Sequence, residues 1–454
     1  MGADRQRHFS EPFYEGEKQG MYENQKRKRL FVLSDADGKA RACILGAECL
    51  KAVYTALTTG VFMTGFLLQS GMGQVQIGTV TSLPLLAGIL YPLSPLLLER
   101  FRKRKVVLGV GRLLYHVFAI LCITVLPNLF KDSSLVWCMA AALFLGNALN
   151  ILVASGFPAW HIGFLPENIR GNFFAISGIV NSIFTAAASF GASLLADAAT
   201  ASGRQMYWMS VIRMAAFVLA LLELALLLIP RELEYPKSQV KGKALLLLPL
   251  GNRQFCMTMI PVFAWMMIST MTLYSANAYL LEEVGANYAF ISILQAMNIV
   301  TTAVVMPFWH RLLLRTSWLS AFQKVFLLFA IYPFLHMMVT GKNVLWLLPV
   351  TMLAYQAIMA GGTLYFNNMA YLFTPKEDRT AYLSWYLMLS SAGSLCGQGL
   401  STLLLKIWQR DWQIGALRIV PVQRVLLLQG VMAVGFGWWF GKVLIKRLME
   451  QVEG

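Results

Sequence analysis

Pro166-Glu167-Asn168-Ile169-Arg170-Gly171 and Pro375-Lys376-Glu377-Asp378-Arg379-Thr380 are short polar stretches, each set between long apolar runs. The two prolines and the two arginines share one offset, since 375 − 166 and 379 − 170 both give 209. Pro-x-x-x-Arg is a cheap pattern on its own. Its weight comes from recurring at the same place in the order of apolar runs, so the chain reads as two related halves. Two-fold repeats inside a membrane build a central site that can face either side, which implies transport. Pro166 and Pro375 are expected to end spans 4 and 10, and Arg170 and Arg379 to stand where spans 5 and 11 begin.

Working outward, composition fixes the solvent. The 454 residues are 57% hydrophobic and 13% charged, with a mean hydropathy of +0.59. A soluble domain carries about 25% charged residues. So much apolar side chain needs the bilayer as its solvent. Spanning it takes about 20 mostly apolar residues. Twelve segments qualify: 44–69, 74–98, 106–128, 135–159, 172–196, 206–229, 254–281, 287–310, 319–340, 343–372, 381–405 and 422–446. The fold class that follows is an all-α membrane protein of twelve helices in two pseudo-symmetric six-helix bundles.

The net charge of +16 has a place in that scheme. With the N-terminus inside, the inner segments hold 27 Lys and Arg and the outer ones 7, the bias expected of a cytoplasmic face. Both termini are therefore expected in the cytoplasm, in a multi-pass protein of the cell membrane. This placement argues against nucleic acid as a partner. Residues 1–43 are mostly polar and are expected to hold no cleavable leader and to form a disordered cytosolic tail. Lys26-Arg27-Lys28-Arg29 suits anionic lipid headgroups. Residues 44–229 and 254–454 form the two bundles, with 230–253 as the cytosolic linker. Six scattered cysteines without C-x-x-C spacing read as reduced packing residues.

A second repeat relates Pro95, ending span 2, to Pro307, ending span 8, at an offset of 212 (307 − 95). The same offset pairs Arg112 in span 3 with Lys324 in span 9, and this placement suggests anchoring of the inner loops.

Here the chain resembles the major facilitator superfamily, over residues 44–450. The general likeness is twelve spans, inside termini, a central inner loop and six-plus-six organisation. The local likeness is the loop between spans 2 and 3, where that family has Gly, four residues later Asp-Arg, then Gly-Arg-Lys/Arg. This chain has Pro95, Glu99-Arg100 and Arg102-Lys103-Arg104-Lys105. The acid-base pair and basic run match, and the two glycines do not. Pro166 to Gly171 also looks like the family's loop between spans 4 and 5. The resemblance implies that spans 1, 4, 7 and 10 line a substrate cavity and that 2, 5, 8 and 11 meet between the halves. It also implies an inner-face latch at Glu99 and nearby arginines. Glu99, Arg100, Arg104, Arg170, Arg311 and Arg379 are the expected gate and inner-face anchors.

Ionisable groups within spans cost about 2.5–3.5 kcal/mol at the membrane centre, so each needs a reason. Glu223, within Leu221-Leu222-Glu223-Leu224, is either a proton-coupling carboxylate or a structural contact between helices. Arg213 lies about 15 Å along the same helix and does not reach it. Span 6 is usually peripheral in this family. Glu48, three residues before Lys51, suits a local ion pair, with a gating or coupling role as the sharper reading. His116, one turn beyond Arg112, reads as hydrogen-bonded packing in preference to a proton relay. The candidate cavity residues are Tyr54, Asn147, Asn150, Trp265, Tyr274, Asn277, Gln356, Tyr365, Asn367 and Asn368. They suit a neutral or weakly charged polar solute with an apolar part. Gly393, Gly397 and Gly399 permit close helix approach.

No G-x-x-x-x-G-K-[ST] loop occurs, and no catalytic or metal-ligand constellation is visible, so the expected protein is not an enzyme and takes no cofactor. The expected function is secondary active transport of a small solute by alternating access, as a monomer, with proton or sodium coupling open. The alternative is a transport-inactive sensor or assembly partner with the same fold.

Overall fold

The computed structural model describes residues 35–98, 100–101, 103–153, 156–165, 167–232, 248–369, 379–414 and 417–446. Twelve helical segments follow one another. The first half comprises Ala36–Gln69, Gln74–Leu90, Lys105–Asn128, Asp132–Val153, Glu167–Ala201 and Gln205–Leu227 (spans 1 to 6). The second comprises Arg253–Glu282, Tyr288–Leu312, Trp318–His336, Val344–Met369, Arg379–Ile407 and Pro421–Leu444 (spans 7 to 12). Ten are long and apolar enough to cross a membrane. Gln74–Leu90 is apolar but shorter, and continues after a turn into Leu93–Leu98. Arg379–Ile407 is long but less apolar, with a run of serines and glycines directed at other helices.

One expectation needs correction. Helix starts at Ala36, so residues 36–43 are not part of a disordered tail. Their polar side chains find partners on the same membrane side. Arg41 donates to the Phe164 carbonyl (3.2 Å), and Asp37 accepts from Arg231 (3.0 Å). Apolarity marks where lipid begins, not where helix begins.

Side chains explain several helix starts. Asn252, Asn287 and Ser317 each accept from the backbone N–H three residues on, satisfying donors that have no intrahelical partner. Lipid-facing helices carry the exposed apolar residues, among them Ile179 and Ile183 on span 5 and Val300 and Val304 on span 8. The helices hold together mainly by close packing, because lipid is as apolar as leucine. A Cβ on Gly397 would stand 2.0 Å from the Met267 carbonyl oxygen, so only glycine lets spans 7 and 11 come this close.

Spans 1 and 3 carry irregularities that lie close together. Span 1 breaks at Thr59, and Gly60 has φ +58°. Span 3 makes a π-helical turn over Val117–Cys122, a distortion that often marks function. Nothing lies within 4 Å of a Cβ placed on Gly60, so Gly60→Ala isolates the backbone cost of the break. The expected loss is about 1–2 kcal/mol, read as a lower unfolding midpoint in detergent. An unchanged midpoint means the break relaxes without strain.

The halves meet mainly on the side opposite the chain termini. There Phe62, Phe66 and Leu67 of span 1 share one apolar cluster with Leu280 of span 7 and Tyr288 and Ile291 of span 8. The Asp197 carboxylate of span 5 accepts from the Tyr288 and Ala289 backbone N–H groups (2.9 and 2.8 Å). It thereby caps the start of span 8 with negative charge where the helix dipole favours it. Gln74 donates to Glu282 (3.3 Å). Spans 2 and 11 run side by side to mid-membrane, where Ser391 donates to the Leu85 carbonyl (3.0 Å). Near the termini, by contrast, Ile44, Leu108, Trp160 and Phe164 form a cluster belonging to the first half alone.

Candidate functional site

Two of the polar features in the apolar interior bear on function. The first lies within the first half, around Arg112. Its Nη2 donates to the Tyr54 hydroxyl (2.6 Å) and to Glu223 Oε1 (3.0 Å), and its Nη1 to Asn150 Oδ1 (3.0 Å). His116 Nε2 lies 3.1 Å from Glu223 Oε2; a carboxylate only accepts, so Nε2 carries the proton. Four spans supply this cluster: 1, 3, 4 and 6. The Glu223 side chain is 2% exposed and that of Arg112 is 12% exposed, so neither charge is left to water. Pairing them is what makes their burial tolerable.

Farther toward the side where the halves meet sits Arg213, also buried. It donates to Thr124 Oγ1 (3.2 Å), to the Thr58 carbonyl beside the break in span 1 (3.4 Å), and to the Ala119 carbonyl in the π-turn (3.3 Å). The two backbone irregularities thus present carbonyls to one guanidinium. Its face lies over the Phe66 ring, 4.8 Å from the centroid, a cation–π contact.

The second feature is a cavity of about 770 Å³ in the second half. Spans 7, 8, 9 and 10 line it, with Gly60 of span 1 completing the wall. Asn277, Gln295, Asn298, Gln356 and Asn368 present amides, and Tyr332, His336 and Tyr355 present rings. Among the described residues that line it, none is Asp, Glu, Lys or Arg. Gln356 also joins the walls, donating to the Leu294 carbonyl (2.6 Å) and accepting from Thr301 (3.2 Å).

The sequence-derived candidates divide between these places. Asn277, Gln356 and Asn368 line the cavity. Tyr54 and Asn150 do not; they are ligands of Arg112, because a buried guanidinium draws in nearby oxygens. Asn147 donates to the Leu143 carbonyl of its own helix. Trp265 is not a wall residue either. It packs in an aromatic core against Phe322, Phe326 and Phe329, at centroid distances of 5.6, 5.2 and 5.3 Å. Tyr365 is fully buried and donates to the Trp309 carbonyl (2.7 Å), so its hydroxyl is spent on packing. Tyr274 lies between spans 2, 7 and 11, near Gln398 and Ser401. The side chain of Asn367 lies outside the described residues.

The anchor candidates are less informative. Glu99, Pro166 and Pro375 lie outside the described residues, as do the side chains of Arg170 and Arg379. Arg170 falls in the first turn of Glu167–Ala201, and Arg379 opens Arg379–Ile407. Arg100 and Arg311 are exposed, and Arg104 donates to the Phe101 carbonyl (3.3 Å). Glu48 pairs with Lys51 at 3.2 Å on a partly exposed surface, apart from the Arg112 cluster.

The symmetry of Arg112 and Lys324 does not extend to their surroundings. Lys324 is exposed, whereas Arg112 is the hub of a buried network, so a shared anchoring role does not hold. His116 is a hydrogen-bonded packing residue, as expected, and its partner is Glu223. The family habit of a peripheral span 6 fails for the face that bears Glu223, because span 6 packs along span 1.

The sequence profile of the Major Facilitator Superfamily matches residues 52–398. The chain belongs to the major facilitator superfamily. With the superfamily comes its class of activity: secondary active transport of small solutes by alternating access. Three solved structures share the fold of this superfamily member. The nucleoside transporter NupG has a TM-score of 0.61 at 15% identity, covering 91% of this chain and 99% of its own. The D-xylose-proton symporter has a TM-score of 0.66 at 14% identity, covering 89% and 97%. The E. coli fucose:proton symporter FucP, solved as a single-residue variant, has a TM-score of 0.55 at 14% identity, covering 91% and 99%. A search of curated proteins returns no match.

The residues missed by sequence reasoning in this superfamily member are the ring residues of the wall and the hub role of Arg112. One signal was available for Arg112: besides Arg213 and Lys51, it is the one Lys or Arg within the six apolar segments of the first half that a buried Glu223 can recruit.

Proposed function

We propose that this protein carries a small uncharged polar solute through the cavity of its second half, with protons as the coupling ion. The observation that carries the solute class is the wall itself: amides, hydroxyls and aromatic rings with no charged side chain among its described residues. A charged solute would be desolvated there without a partner, at a cost that a neutral solute avoids. Solutes of the neighbouring structures include nucleosides, D-xylose and fucose, and two of those proteins are named as proton symporters. The orientation goes with this reading: a cell-membrane monomer with cytoplasmic termini, closed here toward the outside.

Coupling is assigned to Glu223. Span 1 links it to the cavity, because Tyr54 touches Arg112 and Gly60 stands on the cavity wall six residues later. Protonating Glu223 removes the charge that holds Arg112. Tyr54 is then free to move with span 1, and the break at Gly60 is the joint where that movement meets the solute.

The test is uptake by proteoliposomes of uridine and of D-xylose, with and without an imposed pH gradient. Asn277→Ala and Tyr355→Ala are expected to lower uptake about tenfold, the effect of losing one good contact of about 1.4 kcal/mol. Glu223→Gln keeps solute exchange and loses gradient-driven accumulation. Wild-type flux that ignores pH and is unchanged in Glu223→Gln sinks the coupling assignment. A folded protein that moves no solute of any class favours the sensor or assembly-partner alternative.

A further inference from the structure

The wall residue His336 is wholly buried and ends the helix Ile331–His336, on the membrane side where the halves are in contact. It therefore stands at the closed end of the cavity. Its ring lies 5.1 Å from that of Tyr332, which in turn lies 4.6 Å from that of Tyr355, so three rings form one continuous surface.

The hydrogen-bond pattern assigns the ring proton to Nδ1. Nδ1 is 3.5 Å from Thr351 Oγ1, and the Thr351 hydroxyl donates to the Leu348 carbonyl at 2.9 Å. A hydroxyl has one hydrogen. With that hydrogen given to Leu348, Thr351 offers His336 only lone pairs, so Nδ1 is the donor. Neutral imidazole protonated at Nδ1 has a bare, accepting Nε2. Nε2 is buried and has no hydrogen-bond partner among the described residues. Buried polar atoms are almost always paired, so Nε2 calls for a hydrogen-bond donor, which a water or a solute in the cavity can supply.

We infer that His336 Nε2 is the acceptor that anchors the solute, and that the solute presents it with an N–H or O–H from a flat or CH-rich face stacked on Tyr332 and Tyr355. This rests on the cavity being the solute site. It adds a polarity to that site: the closed end selects a hydrogen-bond donor. A solute offering only acceptors there leaves Nε2 unpaired and is rejected. Such rejection is strong, because the mismatch strands a buried polar atom.

Two measurements test it on the full chain in lipid. In 15N-histidine NMR, the chain has five histidines, and the His336 signals are identified by their loss in His336→Gln. The expected resting state has the proton on Nδ1 and a bare Nε2; a protonated Nε2 overturns the assignment whatever ligand is found. In binding assays with uridine and D-xylose, His336→Ala is expected to weaken the better probe at least tenfold. His336→Gln, which retains an acceptor, should weaken it less. If Asn277→Ala loses binding while His336→Ala matches wild type, the anchor is wrong and the cavity stands. If Asn277→Ala, Tyr355→Ala and His336→Ala all match wild type, the cavity itself is the wrong site. Binding of glutamate or putrescine in place of both uncharged probes overturns the ligand class.

Discussion

Glu223→Ala is expected to cost the protein about 3–5 kcal/mol of stability, toward the low end of that range, and to abolish gradient-driven uptake. Breaking one partner of a buried ion pair leaves the other charge uncompensated, which is the costly event. Here the stranded group is Arg112, with a side chain 12% exposed and both terminal nitrogens committed to the network. Asn150 and Tyr54 continue to accept from it, which is why the low end is expected. Glu223→Gln, which keeps an oxygen for Arg112, should lose less. The diagnostic variant removes both charges: Arg112→Met with Glu223→Met should recover most of the stability, since apolar replacements of buried pairs are often neutral or better. It should not recover gradient-driven uptake. Chemical unfolding in detergent reads the first effect and proteoliposome uptake the second. If Glu223→Ala unfolds at the wild-type midpoint, the pair is not buried as described, and the coupling scheme loses its foundation.

Gly65→Val is expected to open the closed side. A Cβ at Gly65 would stand 2.1 Å from the Tyr288 hydroxyl oxygen and 2.8 Å from its ring carbons. The two residues belong to different halves, so the clash exists only while this side is shut. Tyr288 has little room to retreat, being buried, stacked on Phe62 and within reach of Gln205 at 3.4 Å. Overpacking costs about 1–3 kcal/mol. Charged to one state of two, that shifts the populations about 5- to 150-fold. Spin labels at Gln74 and Glu282, which are hydrogen-bonded across the halves here, should move apart. Tyr288→Ala removes the obstruction and should restore the wild-type distance in the double variant. Labels that stay close in Gly65→Val would show that the side chain is accommodated without opening, and the interface would then not be a gate.

Much of the architecture is legible in the sequence. Span positions follow from runs of apolar residues, because the bilayer imposes one rule on every segment that crosses it: enough length and satisfied backbone groups. The repeat of Pro166 to Arg170 at Pro375 to Arg379 marked the two halves. Apolarity places the start of span 1 eight residues late, since Asp37 and Arg41 are helical without being apolar. Asn277, Gln356 and Asn368 are polar residues of spans 7 and 10, and they line the second-half cavity. Trp265 and Tyr365 lie on the same spans and prove to be core. Composition shows that a span carries a polar or aromatic group, but not which neighbour that group faces.

The sequence by itself determined that this protein is a twelve-span, two-halved membrane protein, because hydropathy and repetition are properties of the chain read along its length. Only the tertiary structure decided that Glu223 belongs to Arg112 and His116, residues 111 and 107 positions away. The same holds for His336, whose character depends on a hydroxyl hydrogen that Thr351 gives to Leu348. Pairing of charges and the donor or acceptor state of a ring are set by distances of about 3 Å between helices. Those distances follow from how each helix is rotated about its own axis, and the order of residues along one helix does not specify the rotation of its neighbour.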